Sequence, residues 1–169
     1  MALGSPTIAE TARILVVDDD ASIRKVVSII LGQAGYVVDT AQNAEEAISK
    51  SNTSFYNLAL IDVRLPDMEG TKLLTLLRDT SPKMAKIIVT GYPVLENALE
   101  AINRGVDGYL TKPVNSETLL KTVREQLRKQ QKNKQFTEES LKEYVETRFK
   151  QAKTIRREIY PGKAMGTDG

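Results

Sequence analysis

The stretch that decides the fold is Ile14-Leu-Val-Val-Asp-Asp-Asp20, a short apolar run that ends abruptly on three aspartates. A run that is apolar at every position is buried on both faces, as a strand inside a parallel sheet is. The next segment reads as helix. Ile23, Val26, Val27, Ile30 and Leu31 recur at three- and four-residue spacings within Ala21–Ala34, and Gly35 supplies a C-terminal stop. The same alternation then continues down the chain. Short runs at Tyr36–Val38, Leu58–Ile61, Ile87–Val89 and Val106–Thr111 are separated by helical patterns at Ala44–Lys50, Thr71–Arg78, Val94–Arg104 and Ser116–Lys129. Five such units joined by short turns predict one α/β domain, a doubly wound five-stranded parallel sheet with helices on both faces.

In an open parallel sheet every strand ends on one edge, and ligands bind in the crevice there. That rule nominates residues before any chemistry is assumed. They are Asp18, Asp19 and Asp20 after the first strand, Asp62 after the third, Thr90 and Gly91 after the fourth, and Lys112 and Pro113 after the fifth. A single aspartate after a strand is as readily a helix cap, and either Asp19 or Asp20 can cap Ala21 onward. Capping does not explain the cluster, because two carboxylates ~4 Å apart repel by ~1 kcal/mol in water and ~4 kcal/mol at an effective dielectric of ~20. Such a group calls for a cation. The chain has neither Cys nor His, so its hard carboxylate oxygens select Mg²⁺ or a relative such as Mn²⁺, which keeps waters and accepts a phosphate oxygen.

Lys112 taken alone is a solvated surface lysine, but Pro113 permits a cis peptide that aims it into the crevice. Thr90 offers a hydroxyl donor where an ordinary β-branched strand end would also serve, and Gly91 leaves room for a group to approach. With no thiol or imidazole in the chain, the nucleophile of any covalent step is a carboxylate, and its product an acyl phosphate. Asp62, central in the crevice, is the best placed.

Four motifs in register give the chain from Arg13 to Lys129 a family resemblance. They are Ile14-Leu-Val-Val-Asp-Asp-Asp20, Asp62-Val-Arg-Leu-Pro-Asp-Met-Glu-Gly70, Ile87-Ile-Val-Thr-Gly91 and Gly108-Tyr-Leu-Thr-Lys-Pro113. This pattern resembles the receiver domain of two-component response regulators, of the stand-alone or short-tailed type. The resemblance implies a flavodoxin-like sheet of order 2-1-3-4-5 and a signalling role rather than an enzyme's. It implies that Asp62 accepts a phosphoryl group from a sensor histidine kinase, with Mg²⁺ held by Asp18, Asp19, Asp62 and the backbone carbonyl of Arg64. It further implies that Thr90 and Lys112 contact the phosphoryl group, that Thr90 and Tyr109 form the switch, and that Arg64 and Tyr92 tune the lifetime of the modified state. Tyr109 also reads plainly as a half-buried strand aromatic. The competing class is a haloacid-dehalogenase-type phosphatase with Asp18 as nucleophile, for which Asp107 is a lone candidate for the late acidic ligand.

The composition bounds the rest. Of 169 residues 41% are hydrophobic and 27% charged, enough apolar content to bury a core. No apolar run approaches the ~20 residues that span a bilayer, and residues 1–12 lack both a basic start and an apolar stretch. The expectation is a cytoplasmic protein with no membrane partner, and residues 1–12 read as a flexible lead or cloning remnant. Charge separates the two ends: residues 1–129 hold 15 Lys/Arg against 16 Asp/Glu, while residues 130–169 hold 9 against 6. Residues 130–136 read as a linker or frayed helix end, 137–160 as an amphipathic helix with Leu141, Tyr144, Val145, Phe149, Ala152, Ile155 and Ile159 on one stripe, and 161–169 as a flexible end. That helix is expected to act through its apolar stripe, on its own domain, in a homodimer or on a protein output partner. The alternative output is nucleic-acid binding through the basic tail, whose Lys and Arg residues are its only support.

Overall fold

The computed structural model describes residues 11–80, 82–91 and 100–159. The chain divides into two compact units, Met1–Gln130 and Gln131–Gly169. In the first, β1 (Arg13–Val17), α1 (Ala21–Gln33), β2 (Val37–Ala41), α2 (Ala44–Thr53), β3 (Leu58–Asp62), α3 (Gly70–Leu76), β4 (Ala85–Thr90) and β5 (Gly108–Thr111) follow one another in chain order. α4 (Ser116–Ile159) comes after them. The sheet has the order β2-β1-β3-β4-β5 and every pairing is parallel. The expected fold is therefore present, with the strand order the resemblance implied.

Alternation along the strands splits the core in two. Leu15, Val17, Ala59, Ile61 and Ile88 pack on one face with Ala44 and Ala47 of α2 and Leu73 and Leu74 of α3. Ile14, Val16, Leu58, Leu60, Ile87 and Val89 pack on the other with Val27 and Leu31 of α1 and Leu119 and Val123 of α4. Each fully buried Leu, Ile or Val stabilises by roughly 1.5–3 kcal/mol, so the two-sided apolar runs hold both helix layers to the sheet. The reversal of strand order between β1 and β3 opens the crevice that the sequence nominated.

Several element bounds differ from the sequence reading. Strand β2 begins at Val37 and runs to Ala41, because pairing with β1 extends it past the apolar residues onto Asp39 and Thr40. Helix α2 continues to Thr53, and α3 begins at Gly70. Strand β5 is shorter than Val106–Thr111, since Asp107 is drawn off to the start of β4. Of the Val94–Arg104 helix, residues 94–99 lie outside the described residues, while residues 100–103 are helical and close at Gly105, whose φ is +84°. Gly35, with φ +94°, stops α1 in the same left-handed way. Val26 leaves the expected buried stripe of α1 and is 55% exposed.

The expected break at residues 130–136 is absent: α4 is continuous from Ser116 to Ile159. Gln130 is buried, and its side-chain amide donates to the carbonyls of Asn57 at 2.9 Å and Lys83 at 2.7 Å. It is an anchor, not a linker residue. The Gln/Lys-rich run after it lacks an apolar stripe, yet those residues rank among the good helix formers and carry the helix onward. In the second unit Phe136, Leu141, Tyr144, Val145 and Phe149 are all exposed.

Candidate functional site

Strands β1 and β3 pair with Val17 opposite Ile61, so Asp18 and Asp62 emerge side by side at the C-terminal edge of the sheet. On the other side of β3, Asp62 lies opposite Val89, one residue before Thr90, and Thr90 lies opposite Thr111 of β5. The Lys112 N–H donates to the Thr90 carbonyl at 2.7 Å, and the Lys112–Pro113 peptide is cis. Lys112 Nζ donates to Asp18 Oδ2 at 2.6 Å and to Asp62 Oδ2 at 3.1 Å. The structure thus brings Asp18, Asp62, Thr90 and Lys112 together at one edge, with Asp18, Asp62 and Thr90 buried.

The three consecutive aspartates divide their duties. Asp20 is the N-cap of α1, its carboxylate accepting from the N–H groups of Ser22 at 2.8 Å and Ile23 at 3.3 Å. Asp18 and Asp19 are thereby left for the crevice, where their carboxylates and that of Asp62 have oxygens within 4.8 Å of one another. Hard oxygens from three carboxylates, one of them exposed at Asp19, fit a divalent cation that retains part of its water. Burial pushes the Asp18 carboxyl up, against the pull of the Lys112 ammonium and the Asp20 N–H. For Lys112 burial acts downward, but its bonds to Asp18 and Asp62 outweigh it and hold the ammonium above its ordinary value. Charge in this crevice is therefore only partly compensated, with one ammonium among three carboxylates.

Three residues that position the site carry no individual signal in sequence. Gly70 passes so close to β3 that a Cβ there would lie 2.0 Å from the Asp62 carbonyl oxygen, and its N–H donates to the Val63 carbonyl at 2.7 Å. Asp67 reaches across to the N-terminus of α2, accepting from the Ala44 and Glu45 N–H groups at 2.9 Å each, and those bonds hold its carboxyl below the usual range. The Arg24 guanidinium donates to the Asp18 carbonyl at 2.7 Å. Only the first two leave a trace in sequence, as members of the Asp62–Gly70 motif.

Elsewhere the outcome is mixed. Arg64 is exposed, and its N–H donates to Asp62 Oδ1 at 3.2 Å. Tyr92 lies outside the described residues. Tyr109 is partly buried, as the sequence reading has it, but its hydroxyl is buried without a hydrogen-bond partner among the described residues, and burial pushes its pKa up. At Gly91 an added Cβ would meet, among the described residues, Lys112 Cβ and Cδ at 3.8 and 3.9 Å, an ordinary contact. The phosphatase reading fails on Asp107. That carboxylate accepts from the Lys86 N–H at 2.8 Å near the start of β4, at the edge opposite the crevice, and leaves no late acidic ligand at Asp18 among the described residues.

A cluster of this kind, with carboxylates, an ammonium and a hydroxyl at one edge, can neutralise and position a transferring phosphoryl group. Comparison with known families matches residues 14–124 to the response regulator receiver domain. The chain belongs to that family. It is a receiver domain of two-component signalling, a signalling domain whose family is typified by a phosphorylated aspartate and Mg²⁺ in an acidic pocket. Among solved structures, this receiver resembles a CheY-like receiver domain protein from Methanospirillum hungatei JF-1, at 46% identity and a TM-score of 0.70 over 73% of this chain and 98% of that one. It also resembles the chemotaxis protein CheY4 of Vibrio cholerae, at 36% identity and a TM-score of 0.64 over 68% and 98%.

Among curated proteins it is 34% identical over 130 residues to the probable transcriptional regulatory protein SilR of Salmonella typhimurium, covering 77% of this chain and 56% of that protein. It is 31% identical over 137 residues to the transcriptional regulatory protein GlrR of Escherichia coli, covering 81% of this chain and 30% of that protein. Those names run against the lower place given to nucleic acid among the output partners, which is corrected to this extent: relatives of this receiver are named as regulators of transcription. No helix among the described residues is long and apolar enough to cross a membrane.

Proposed function

We propose that this receiver accepts a phosphoryl group on Asp62, from a phosphohistidine of a sensor kinase or from a small phosphodonor, and that the change of charge resets its surface. The observation that carries the reading is the position of Lys112 Nζ, bonded to both Asp18 and Asp62 beside Asp19. In the transfer an Asp62 carboxylate oxygen bonds to phosphorus while the donor's bond to phosphorus breaks, its electron pair leaving with the donor. Asp18, Asp19, Asp62 and the Arg64 backbone carbonyl would hold Mg²⁺, which supplies neutralisation of charge on the phosphoryl oxygens. Lys112 and Thr90 contact the transferred group, Lys112 as a point charge and Thr90 through its hydroxyl. The apolar groove of about 470 Å³ lined by Ile23, Val26, Ile30 and Val114 opens beside Lys112 and offers the donor protein a surface next to the acceptor.

The new dianion competes for Lys112, which now holds Asp18, and for the Thr90 hydroxyl. Movement of Thr90 is passed to Tyr109, whose hydroxyl is buried without a hydrogen-bond partner among the described residues. By the family resemblance, Arg64 and Tyr92, two residues beyond Asp62 and Thr90, hinder attacking water and lengthen the life of the acyl phosphate. For output the names of SilR and GlrR favour control of transcription, in the cytoplasm, reached through protein contacts or through DNA. The test is incubation of Asp62→Asn and the unmodified chain with labelled phosphodonor and Mg²⁺. Labelling is expected only in the latter, and undiminished labelling of the variant would refute the assignment.

A further inference from the structure

The continuity of α4 changes the meaning of the charges it carries. Residues 136–147 hold four glutamates and one lysine, and residues 148–159 hold five Lys/Arg and one glutamate. Had a helix begun at Thr137, Glu138 and Glu139 would be first-turn acids favoured by the helix dipole. Instead they lie more than twenty residues into a helix that starts at Ser116, and the dipole effect fades within one turn of the end. The acidic band therefore needs another cause. Along the same stretch Leu141, Tyr144, Val145 and Phe149 form an exposed stripe at three- and four-residue spacings. Arg148, the charge inside that stripe, is turned back on Tyr144, its guanidinium carbon 5.4 Å from the ring centre and its Nε 3.2 Å from the hydroxyl.

We infer that this stripe is the contact surface for a second copy of the same helix, aligned antiparallel about a two-fold axis that crosses the helix at the level of Thr147. The charge pattern selects the occupant and the direction together. A parallel copy sets glutamate band against glutamate band and basic band against basic band. An antiparallel copy sets each band against its opposite, so one surface is complementary to itself, as a two-fold interface requires. The spacing agrees residue by residue. Glu138 and Arg156 are eighteen residues apart, five whole turns, so they lie on the same side of the helix, in line with Val145 and Phe149, and at equal distances from Thr147. Antiparallel pairing therefore brings Glu138 of each helix to Arg156 of the other, twice. Val145 and Phe149 straddle the same point, and each meets the other's counterpart at the centre. The stripe belongs to the second unit, and the inference does not rest on the phosphoacceptor reading.

The natural absence of cysteine allows a direct test on the full chain. Single variants Arg148→Cys and Leu141→Cys are oxidised under mild conditions, and the mass of the unmodified chain is followed by analytical ultracentrifugation over a range of concentrations. The expected result is a concentration-dependent dimer, with cross-linking of Arg148→Cys, near the axis, at least about tenfold faster than of Leu141→Cys, which the antiparallel alignment separates from its own copy. Comparable rates at both positions would indicate a parallel pair and overturn the proposal, as would a monomer at all concentrations. Glu138→Arg and Arg156→Glu, each alone, are expected to weaken the dimer at least about threefold, and the double variant to restore it, while the melting of the receiver unit stays unchanged. Charge reversals that leave association unaltered, or a double variant no better than the singles, would equally overturn it.

Discussion

Replacing Gly70 by Ala tests how tightly the acceptor strand is held. A Cβ at this position would sit 2.0 Å from the Asp62 carbonyl oxygen, 2.8 Å from its carbonyl carbon and 3.0 Å from Ile61 Cγ2. An ordinary carbon-to-oxygen contact is longer than the first of these by more than about 1 Å, and the atom in the way is backbone, which does not rotate aside. The strand carrying Asp62 or the start of α3 must move by that amount. Overpacking of this kind costs about 1–3 kcal/mol, and the backbone contact places it near the top of the range, offset by up to about 1 kcal/mol from better helix propensity. A net loss of about 2 kcal/mol lowers the melting temperature by roughly 6–12 °C in a unit of this size. The acceptor is displaced as well, and a shift near 1 Å costs about 100-fold where reacting groups must align. Thermal melting by circular dichroism and the initial rate of labelling by a small phosphodonor measure the two effects. Gly32→Ala is the control: nothing among the described residues lies within 4 Å of its added Cβ, so it should melt at or slightly above the parent temperature. A Gly70→Ala protein that melted within about 2 °C of the parent and labelled at the same rate would refute the reasoning.

Three further outcomes are expected. Asp67→Ala removes the carboxylate on the N-terminus of α2 and should cost about 1 kcal/mol near neutral pH, with weaker Mg²⁺ binding as the loop carrying Arg64 slackens. Because the Asp67 pKa is depressed in the fold, its stabilisation is present above the ordinary value of 3.8 and lost as pH falls through the depressed one, so the melting gap between parent and variant should close in acid. Lys112→Met leaves Asp18 and Asp62 without their ammonium. The variant should melt lower than the parent without metal and gain more from saturating Mg²⁺; an equal Mg²⁺ shift in both proteins would contradict the part given to Lys112. Changing Arg64 and Tyr92 together to alanine should shorten the half-life of the phosphorylated chain, measured by loss of label after donor removal, and an unchanged or longer half-life would dismiss their shielding role.

Much of this is legible in the sequence because the signals are local and redundant. Two-sided apolar runs mark β3 and β4, whose residues are buried throughout, and the polar residues at the strand ends point to the crevice. The edge strand β2 reads short because pairing, not hydrophobicity, extends it onto Asp39 and Thr40. The parts of Asp67 and Gly70 depend on contacts that spacing does not encode: one with a helix N-terminus more than twenty residues away, the other with a neighbouring backbone. The break expected after Lys129 fails for a different reason. A polar run reads as a stop, although its residues favour helix and Gln130 ties the preceding turns to the strands.

The central claim is that phosphorylation of this chain occurs on Asp62. Mass spectrometry of the intact chain after incubation with phosphodonor, with and without Mg²⁺, and then peptide mapping of the modified form, addresses it directly. The account predicts one added phosphoryl group, dependent on Mg²⁺ and carried by the peptide containing Asp62. Modification mapped to Asp18, or to any residue outside the crevice, would contradict it.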